Sequence, residues 1–481
     1  MRILFVISNP FAVEPLGVMQ LSAIARRAGH ETSLAILTRS DLRRAVERLS
    51  PDVVAYSATS ACIPALAQQD RRLREWLRSS GRRVFRVMGG AHPTFVPRVI
   101  EELELDAVCQ GDGDLAFPEL LRRIAQGGDI GSIPNIAVSR AGAVDKEIVH
   151  DLDALPFPDR TLYDTAVPYF RSLGMRSVLT GRGCPYDCTY CFNHAYRELF
   201  QECGPIARRR SVDNVIEELL WLKKERPPLK IVRFCDDTFA HRVDAWLEEF
   251  CEKYPARIGV PFYCTMRSNT LTEDTARLLA KAGCTAIGMP IESAVERVRN
   301  QILHRNLSDA QVIASYAVAR KYGLRTFVCA MVGIPGSTIE DDFRSLEFVR
   351  SIGPSAPFFF ICTPYRGTEM WREAVACGDL DADTDPMVSF GTMSVLKCFT
   401  AAEKAVQVRM LHLGPLYCAG PGLARPLIRR LIRGPFPLWL AHAVGRPYGM
   451  YRIATRIIRE AIPRTPGALF RIAVDSVRYV T

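Results

Sequence analysis

Three cysteines in the segment GRGCPYDCTYCFN have the types and spacing to bind a metal cluster. Cys184, Cys188 and Cys191 follow the pattern Cys-x3-Cys-x2-Cys, and the aromatic Tyr190 directly precedes the last of them. Three thiolates in one loop can bind three irons of a cubane iron–sulfur cluster, whereas most such clusters take four cysteines. The fourth iron would then be open to a small-molecule ligand, and we expect a [4Fe-4S] cluster of this kind.

A zinc site is the main alternative for these cysteines. A structural zinc site takes four Cys or His ligands, commonly as two pairs, and His194 is near enough in sequence to compete. The other cysteines are dispersed singly, which is typical of buried reduced thiols and not of a disulfide framework. Cys377 is alone and Cys398 and Cys418 are twenty residues apart, so we expect one cluster only.

The elements that precede the cysteines alternate between strand and helix patterns over residues 1–145. Candidate strands are Ile3–Ser8, Thr32–Ile36, Val53–Ser57, Val84–Gly89 and Ala107–Gly111. Candidate helices are Leu16–Ala28, Ser40–Leu49, Ile63–Arg78 and Val96–Glu102. This alternation predicts a doubly wound, Rossmann-like parallel sheet. Ligands of such sheets bind beyond the carboxyl ends of the strands, near the switch in strand order.

A second alternation, over residues 173–385, surrounds the cysteine loop. Its candidate strands are Ser177–Thr180, Ile231–Cys235, Pro261–Thr265, Ala286–Ile291, Arg325–Val332 and Pro357–Thr363. Six such repeats predict a partial (β/α)6 TIM-like barrel, open on one side, with functional residues at the carboxyl ends of its strands. The aperiodic segment DLDALPFPDRTLYD precedes it, and we expect residues 146–172 to be a linker.

The cysteine loop, together with the order of the loops after the later strands, resembles the radical S-adenosylmethionine (SAM) superfamily. The segments GGAHPTFVP, GDGDLAFPEL and PLGVMQLSAIARRAGHE resemble the cobalamin-binding domain found at the N-terminus of one large subclass. The resemblance covers residues 1–390. It implies three cofactors, namely a [4Fe-4S] cluster held by Cys184, Cys188 and Cys191, SAM, and cobalamin.

The resemblance also implies residues that contact SAM. Asp236 and Asp237 end the second barrel strand, where the superfamily binds the amino group of SAM, and Asp236 is the better candidate; a helix N-cap is the alternative role. Arg267, after the third strand, could pair with the SAM carboxylate in a bidentate fork. A surface arginine in a polar loop is the alternative for Arg267.

Two further loops correspond to the nucleoside part of SAM in relatives. Glu292 and Ser293 fit the ribose-contacting segment, which usually reads Gly-Ile-Glu-Ser; here Pro290 stands in place of the glycine, which leaves the local backbone open. The adenine-side loop contributes Gly333, Pro335 and Gly336.

The implied cobalamin contacts lie in small or polar loops of the first sheet. They are Ser57, Thr59, Gly89, Gly90, His92, Gly111 and Gly113. These loops form neither the dinucleotide-binding fingerprint nor a P-loop. No Asp-x-His-x-x-Gly motif is present, so we expect no histidine to replace the lower ligand of the corrin. A polar loop residue that contacts a neighbouring backbone is the favoured role for His92, in preference to ligation of cobalt.

The family chemistry implies an enzyme that reductively cleaves SAM to a 5′-deoxyadenosyl radical. That radical would remove hydrogen from an unactivated carbon, which methylcobalamin would then methylate. Oxidative ring formation or another rearrangement without methyl transfer is the alternative within this class, and a cobalamin-binding sensor is the alternative outside it. The expected partners are a small-molecule or lipid-like substrate and an electron donor such as flavodoxin or ferredoxin.

The C-terminal residues 386–481 are predicted to be a helical, basic region. From Pro421 to Thr481 there are eleven Arg, no Lys and two acidic residues, a net charge of +9 out of +10 for the chain. No nucleic-acid-binding module accompanies this charge. Apolar residues opposite the arginines make two hypotheses possible: docking on an anionic membrane surface, or a helical cap in which Leu427, Ile428, Leu431 and Ile432 pack on the barrel.

The N-terminal sequence, the apolar runs and the dispersed cysteines together indicate the cellular compartment. The N-terminus MRILFVISNP runs directly into a strand pattern without signal-peptide features. No apolar run approaches the length of a membrane-spanning helix. We expect a cytoplasmic, reducing location, with peripheral contact to the inner membrane surface as the further hypothesis for the tail.

Overall fold

The computed structural model describes residues 1–8, 14–139, 144–384 and 391–461. Within this range the chain forms two compact units, and residues 196–210 belong to the first of them. Of the described residues, those within 1–172 and 196–210 form the N-terminal unit, and those within 173–195 and 211–461 form the barrel unit.

A six-stranded sheet organises the N-terminal unit. Its strands are β1 (Arg2–Ile7), β2 (Glu31–Ile36), β3 (Val53–Ser57), β4 (Phe85–Gly89), β5 (Ala107–Cys109) and β6 (Ile136–Ala137). The strand order is β2-β1-β3-β4-β5-β6. The first five strands pair in parallel, which confirms the doubly wound sheet, and the short β6 adds an antiparallel edge.

Eight helices accompany this sheet. They are α1 (Leu16–Arg27), α2 (Leu42–Leu49), α3 (Ile63–Ser80), α4 (Ala91–Phe95), α5 (Val99–Glu102), α6 (Ala116–Gln126), α7 (Arg160–Ala166) and α8 (Pro168–Leu173). The expected helix Val96–Glu102 is wrong at its start, because Val96 ends α4 with its N–H bonded to His92 O, and α5 begins at Val99.

The segment expected to be a linker is packed into the N-terminal unit. Helix α7 begins after Asp159, whose carboxylate accepts hydrogen bonds from Thr161 N at 3.0 Å and from Ser22 Oγ at 2.8 Å. Arg160 forms a 2.9 Å ion pair with Glu14, and both side chains are fully buried. The proline-rich sequence hides this order because α7 is too short to show a helical period.

The barrel unit contains a second six-stranded sheet. Its strands are β7 (Met175–Val178), β10 (Ile231–Phe234), β11 (Phe262–Thr265), β12 (Cys284–Gly288), β13 (Arg325–Val332) and β14 (Ala356–Ile361), and the short strands β8 (Gly181–Arg182) and β9 (Arg208–Arg209) lie outside it. The order β14-β13-β12-β11-β10-β7 is parallel throughout and confirms the open partial barrel. Strand β12 ends at Gly288, earlier than expected, although Met289 N and Ile291 N still donate to Phe327 O and Cys329 O of β13.

Helices cover one face of this sheet. They are α10 (Val212–Glu225), α11 (Ala245–Arg257), α12 (Glu273–Lys281), α13 (Asp309–Lys321) and α14 (Ile339–Ile352). Helix α9 (Phe192–Leu199) follows the cysteine loop, and α15 (Glu369–Ala376) follows β14. Because side chains alternate along a strand, every second strand residue points away from the helices. We call these residues the lumen face; it includes Met175, Ser177, Arg233, Tyr263, Gly288, Phe327, Cys329, Met331, Phe358 and Phe360.

The tail is helical and packs on the barrel unit. Its helices are α16 (Ala401–Ala419), α17 (Arg425–Arg433) and α18 (Leu438–Arg452). Ile428 and Ile432 of α17 belong to the main core of the barrel. An added Cβ at Gly445 would lie 2.0 Å from the carbonyl oxygen of His412, so α18 lies directly against α16. This packing agrees with the helical-cap hypothesis for Ile428 and Ile432, whereas Leu427 is 60% exposed.

No helix among the described residues combines the length and the apolar character needed to cross a lipid bilayer.

Candidate active site

The three cysteines lie between β7 and α9, in a loop of the barrel unit. None of them forms a disulfide, and Cys188 is buried while Cys184 and Cys191 are partly buried. Burial, together with the smaller effect of the negative charges of Cys188 and Cys184, raises the pKa of Cys191 to about 11. The pKa of Cys184 is also raised by burial and by the charge of Cys188. Thiolates gathered in this way need a cation nearby, and the irons of a cluster would supply it.

A single-metal site does not account for this loop. Among residues 1–8, 14–139, 144–384 and 391–461, no three Cys, His, Asp or Glu side chains lie close enough to hold one ion. His194, the competing ligand, instead has its Nδ1 3.6 Å from a carboxylate oxygen of Glu369. A cubane cluster spaces its thiolates more widely, because each binds a different iron. The donor set therefore fits the cluster better than zinc.

The two aspartates after β10 occupy different environments. Asp236 is buried and accepts hydrogen bonds from Thr180 N at 2.9 Å and Thr180 Oγ1 at 2.8 Å. It therefore ties the end of β10 to the end of β7. Asp237 is solvent-exposed, and its charge raises the pKa of both Cys184 and Cys191. Of the two, Asp237 is the carboxylate beside the cysteine loop, and neither caps α11, whose N-cap is Asp244.

Arg267 is buried directly against the cysteine loop. Its Nη1 donates to the Sγ of Cys188 at 3.4 Å, and its Nε donates to Asn269 Oδ1 at 3.3 Å. Its Nη2 donates to the carbonyl oxygen of Arg305. The ring of Tyr186 covers the guanidinium, with 3.7 Å from Cζ to the ring centroid. The surface-arginine alternative is thus excluded, and the group that Arg267 contacts here is a cysteine thiol.

Glu292 lies in a buried polar network after β12. Tyr190 Oη donates to its Oε1 at 3.1 Å, and Arg305 Nη1 lies 3.5 Å from the same oxygen. Glu292 has φ of +63°, a left-handed conformation that costs energy in a residue with a side chain. Arg305 Nη2 donates to Pro290 O at 2.7 Å, so the proline that replaces the family glycine is itself an anchor. Ser293 is buried beside Glu292.

Sequence patterns did not identify Arg305 as part of this network. Arg305 is remote from every motif in the chain, and a buried arginine among loop residues has no periodic signature. Tyr190 could have been found, because it lies within the cysteine motif itself.

The loop of Gly333, Pro335 and Gly336, expected on the adenine side of SAM, is held in place by two residues that sequence analysis did not identify. Gly333 has φ of +71°, and its N–H lies 3.1 Å from each carboxylate oxygen of Asp342. Gln407 Nε2, from tail helix α16, donates to Asp342 Oδ2 at 3.3 Å. An added Cβ at Gly333 would lie 2.8 Å from Gln407 Oε1. Pro335 and Gly336 follow in the same loop.

The expected cobalamin contacts line the carboxyl edge of the first sheet. Gly90 has φ of +104°, and an added Cβ would lie 2.7 Å from Ala58 O. Thr94 Oγ1 donates to Gly90 O and accepts from Gly111 N, both at 2.9 Å. His92 Nδ1 lies 3.0 Å from Ser60 Oγ. The edge is therefore built from backbone and small residues, which suits the close approach of a broad, flat ligand.

The remaining expected contacts of this edge lie at the same strand ends. Ser57 and Gly89 are the paired last residues of β3 and β4. Gly113 lies near Leu21 and Cys109, and Thr59 Oγ1 lies 3.2 Å from Cys62 Sγ. An added Cβ at Gly111 would lie 2.3 Å from the ring of Phe200.

Replacing Arg267 should lower the reduction potential of the reconstituted cluster. A cationic N–H donor beside a cluster thiolate stabilises the reduced, more negative state. For Arg267→Gln we expect about a tenfold shift in the redox equilibrium, roughly 60 mV for a one-electron couple. Redox titration followed by electron paramagnetic resonance measures this. Arg277→Gln, at an exposed position of α12, is the matched control, and equal potentials in both variants would contradict the prediction.

Asp342 should make stability depend on pH. Burial raises the pKa of its carboxyl group from 3.8 to about 7, although the hydrogen bonds from Gly333 and Gln407 lower it. Above pH 3.8 the unfolded chain loses this proton while the folded protein keeps it. The contribution of Asp342 to the free energy of unfolding should therefore fall as pH rises from about 4 to about 7.

The Asp342→Asn variant tests this slope. Thermal unfolding of wild type and variant across that pH range should show the variant gaining stability relative to wild type as pH rises. Asp274→Asn, at an exposed position, is the control. A constant difference between wild type and Asp342→Asn would be the contrary result.

Comparison with known families agrees with this arrangement. Residues 178–349 match the Radical SAM superfamily, and residues 3–121 match the B12 binding domain. The first range contains the cysteine loop, Asp237, Arg267 and Glu292. The second contains the glycine-lined edge of the first sheet.

Individual relatives are similar to this chain over most of their length. An uncharacterized methyltransferase of Pyrococcus horikoshii is 28% identical over 376 residues, which cover 75% of this chain and 78% of the relative. The hopanoid C-3 methylase of Methylococcus capsulatus is 26% identical over 378 residues, which cover 75% of this chain and 68% of the methylase. The radical SAM methyltransferase TsrM of Kitasatospora setae, solved with cobalamin and a [4Fe-4S] cluster, has the same fold at a TM-score of 0.62, with 17% identity over 79% of this chain and 75% of TsrM.

The family matches and the site agree on the cofactors, which are a [4Fe-4S] cluster, SAM and cobalamin. With a B12-binding sheet followed by a three-cysteine loop in a partial barrel, the chain belongs to the cobalamin-binding radical SAM enzymes.

Proposed function

We propose that the enzyme uses SAM and cobalamin to methylate an unactivated carbon of a small-molecule substrate. The observation that carries this proposal is the three-cysteine loop at the end of β7, in a chain that also carries a B12-binding sheet. Relatives named as methyltransferase or methylase support methyl transfer over ring formation. A sensor would have no use for the buried polar network around the cysteines.

The protein residues would hold and position the cofactors. Cys184, Cys188 and Cys191 would bind three irons, and Asp237 would face the ammonium group of SAM. When bound, the reduced cluster supplies the electron that cleaves SAM and cobalamin supplies the methyl group. Arg267 would keep Cys188 in place through its N–H contact of 3.4 Å. An electron donor such as flavodoxin or ferredoxin would reduce the cluster.

Glu292 would position the ribose of SAM. Its carboxylate is fixed by Tyr190 and Arg305, and its backbone is left-handed, with φ of +63°. Burial raises the pKa of Glu292, whereas the charge of Arg305 and the hydrogen bond from Tyr190 lower it. The adenine would lie against the loop of Gly333, where a backbone without a side chain allows close approach.

Cobalamin would rest on the glycine-lined edge of the first sheet. His92 is engaged with Ser60 Oγ, so a histidine bound to the lower face of cobalt is not part of the proposal. Backbone and small side chains would support the corrin by contact area rather than by ligation.

Labelled SAM tests the proposed function. Anaerobically reconstituted enzyme, given a reductant, methyl-labelled SAM and a cell extract as substrate source, should form 5′-deoxyadenosine and a product that carries the label. Replacing Cys184, Cys188 and Cys191 together by Ala should abolish both, because no cluster remains to reduce SAM. Cys377→Ala, at an exposed position outside the loop, should leave both unchanged.

The same assay distinguishes the alternatives. A product without label, formed together with 5′-deoxyadenosine, would indicate ring formation or rearrangement. No SAM cleavage by wild type under any reductant would favour a sensor.

Contact of the tail with a membrane remains a separate proposal. Leu423 is 99%, Leu427 60% and Trp439 70% exposed, close in sequence to several arginines, and such a surface suits anionic lipid. The packing of Ile428 and Ile432 in the barrel core weakens it, and residues 462–481 lie outside the described range. Salt-sensitive co-sedimentation with anionic but not neutral vesicles is the expected result, and equal, negligible binding to both would leave the tail as a cap.

A further inference from the structure

The lumen face of the barrel has one cationic side chain near the carboxyl ends of its strands. On β10, Val232 and Phe234 belong to the helix-packed core, so Arg233 between them points to the lumen face. Arg233 is the residue before the last of β10 and is partly exposed. It lies at the end of the strand from which the loop of Asp236 and Asp237 begins.

Arg233 has no carboxylate partner in the described part of the chain. Its guanidinium instead lies over the ring of Tyr263 on β11, with 5.9 Å from Cζ to the ring centroid. Three other barrel arginines each lie beside a carboxylate: Arg305 beside Glu292, Arg299 beside Asp309 and Arg325 beside Glu460. A guanidinium that is partly withdrawn from water gains most from an anionic ligand.

The opposite wall of the lumen face is apolar. Phe327, Cys329 and Met331 alternate with helix-packed residues along β13, and all three are partly exposed. Phe360 of β14 pairs in register with Met331 and is 47% exposed. An added Cβ at Gly288 would lie 2.1 Å from Cζ of Phe327, so the tip of this ring reaches over β12. Aromatic and thioether groups left exposed inside a barrel offer area to a hydrocarbon or ring.

We propose that the lumen face binds a substrate with an apolar body and an anionic head group. The guanidinium of Arg233 would pair with the head group, a carboxylate or a phosphate, and Phe327, Met331 and Phe360 would contact the body. This proposal rests on the proposed function, since it names the substrate class of the same site.

A binding experiment without turnover tests the pairing. The probes are decanoate, decyl phosphate and 1-decanol, titrated by calorimetry into the reconstituted full-length enzyme. Wild type should bind one or both anionic probes at least tenfold more tightly than the alcohol, because the apolar chains are equal and only the head group differs. A preference for decanoate points to a carboxylate and a preference for decyl phosphate to a phosphate. Equal binding of all three, or no binding of either anion, would overturn the proposal.

Variants locate the effect at Arg233. Arg233→Gln should lose the preference for the anions while it still binds 1-decanol, and Arg233→Lys should keep part of that preference. Arg277→Gln is the control for a surface arginine. If Arg233→Gln binds the anionic probes as tightly as wild type does, Arg233 is not the head-group site.

The affinity for SAM separates this role from a cofactor contact. Both Arg233 variants should bind SAM as wild type does, and a weakened SAM affinity with unchanged probe binding would overturn the proposal. The labelled-SAM assay is independent of these titrations. Methyl transfer could therefore fail while the head-group preference holds, or the reverse.

Discussion

The contact between Arg267 and Cys188 is the interaction on which the rest of the site depends. Arg267 also donates to the carbonyl of Arg305, and Arg305 reaches Tyr190 and Pro290. These links join the cysteine loop after β7 to the segments that follow β11 and β12. Because both guanidinium groups are buried, each must keep its partners or leave a buried charge uncompensated. The loops of the site are therefore held as one arrangement.

Charged side chains of the barrel differ in whether they have a partner of opposite charge, and this difference indicates their role. The Arg305–Glu292 pair has its counter-charge and keeps a strained backbone in place. Within the described residues, the guanidinium of Arg233 has no carboxylate partner. The carboxyl group of Asp342 has no cationic partner there and is hydrogen-bonded only to the N–H of Gly333 and the amide of Gln407. Arg233 would therefore bind an anionic ligand, whereas Asp342 has a pKa raised by burial to about 7. Gln407 brings the tail helix α16 to the adenine-side loop, so the tail takes part in shaping the site.

The two units solve the problem of ligand binding differently. The first sheet offers backbone and glycine at its carboxyl edge, where Gly90 lies against Ala58 and Thr94 joins two loops. A surface of that kind suits a large flat ligand that binds through a wide contact area. The barrel instead uses side chains of fixed charge.

The sequence by itself determined both sheets, the cysteine loop and the family, because strand–helix alternation and the Cys-x3-Cys-x2-Cys spacing are local patterns. Tertiary structure decided which aspartate faces the cysteines, since Asp236 is taken by Thr180 and Asp237 is not. It also placed Arg267 on Cys188, and Asp342 and Gln407 on Gly333. Gln407 is remote in sequence from Gly333, and so is Arg305 from Tyr190. Contacts across such distances have no period or motif, and only the packed fold brings these residues together.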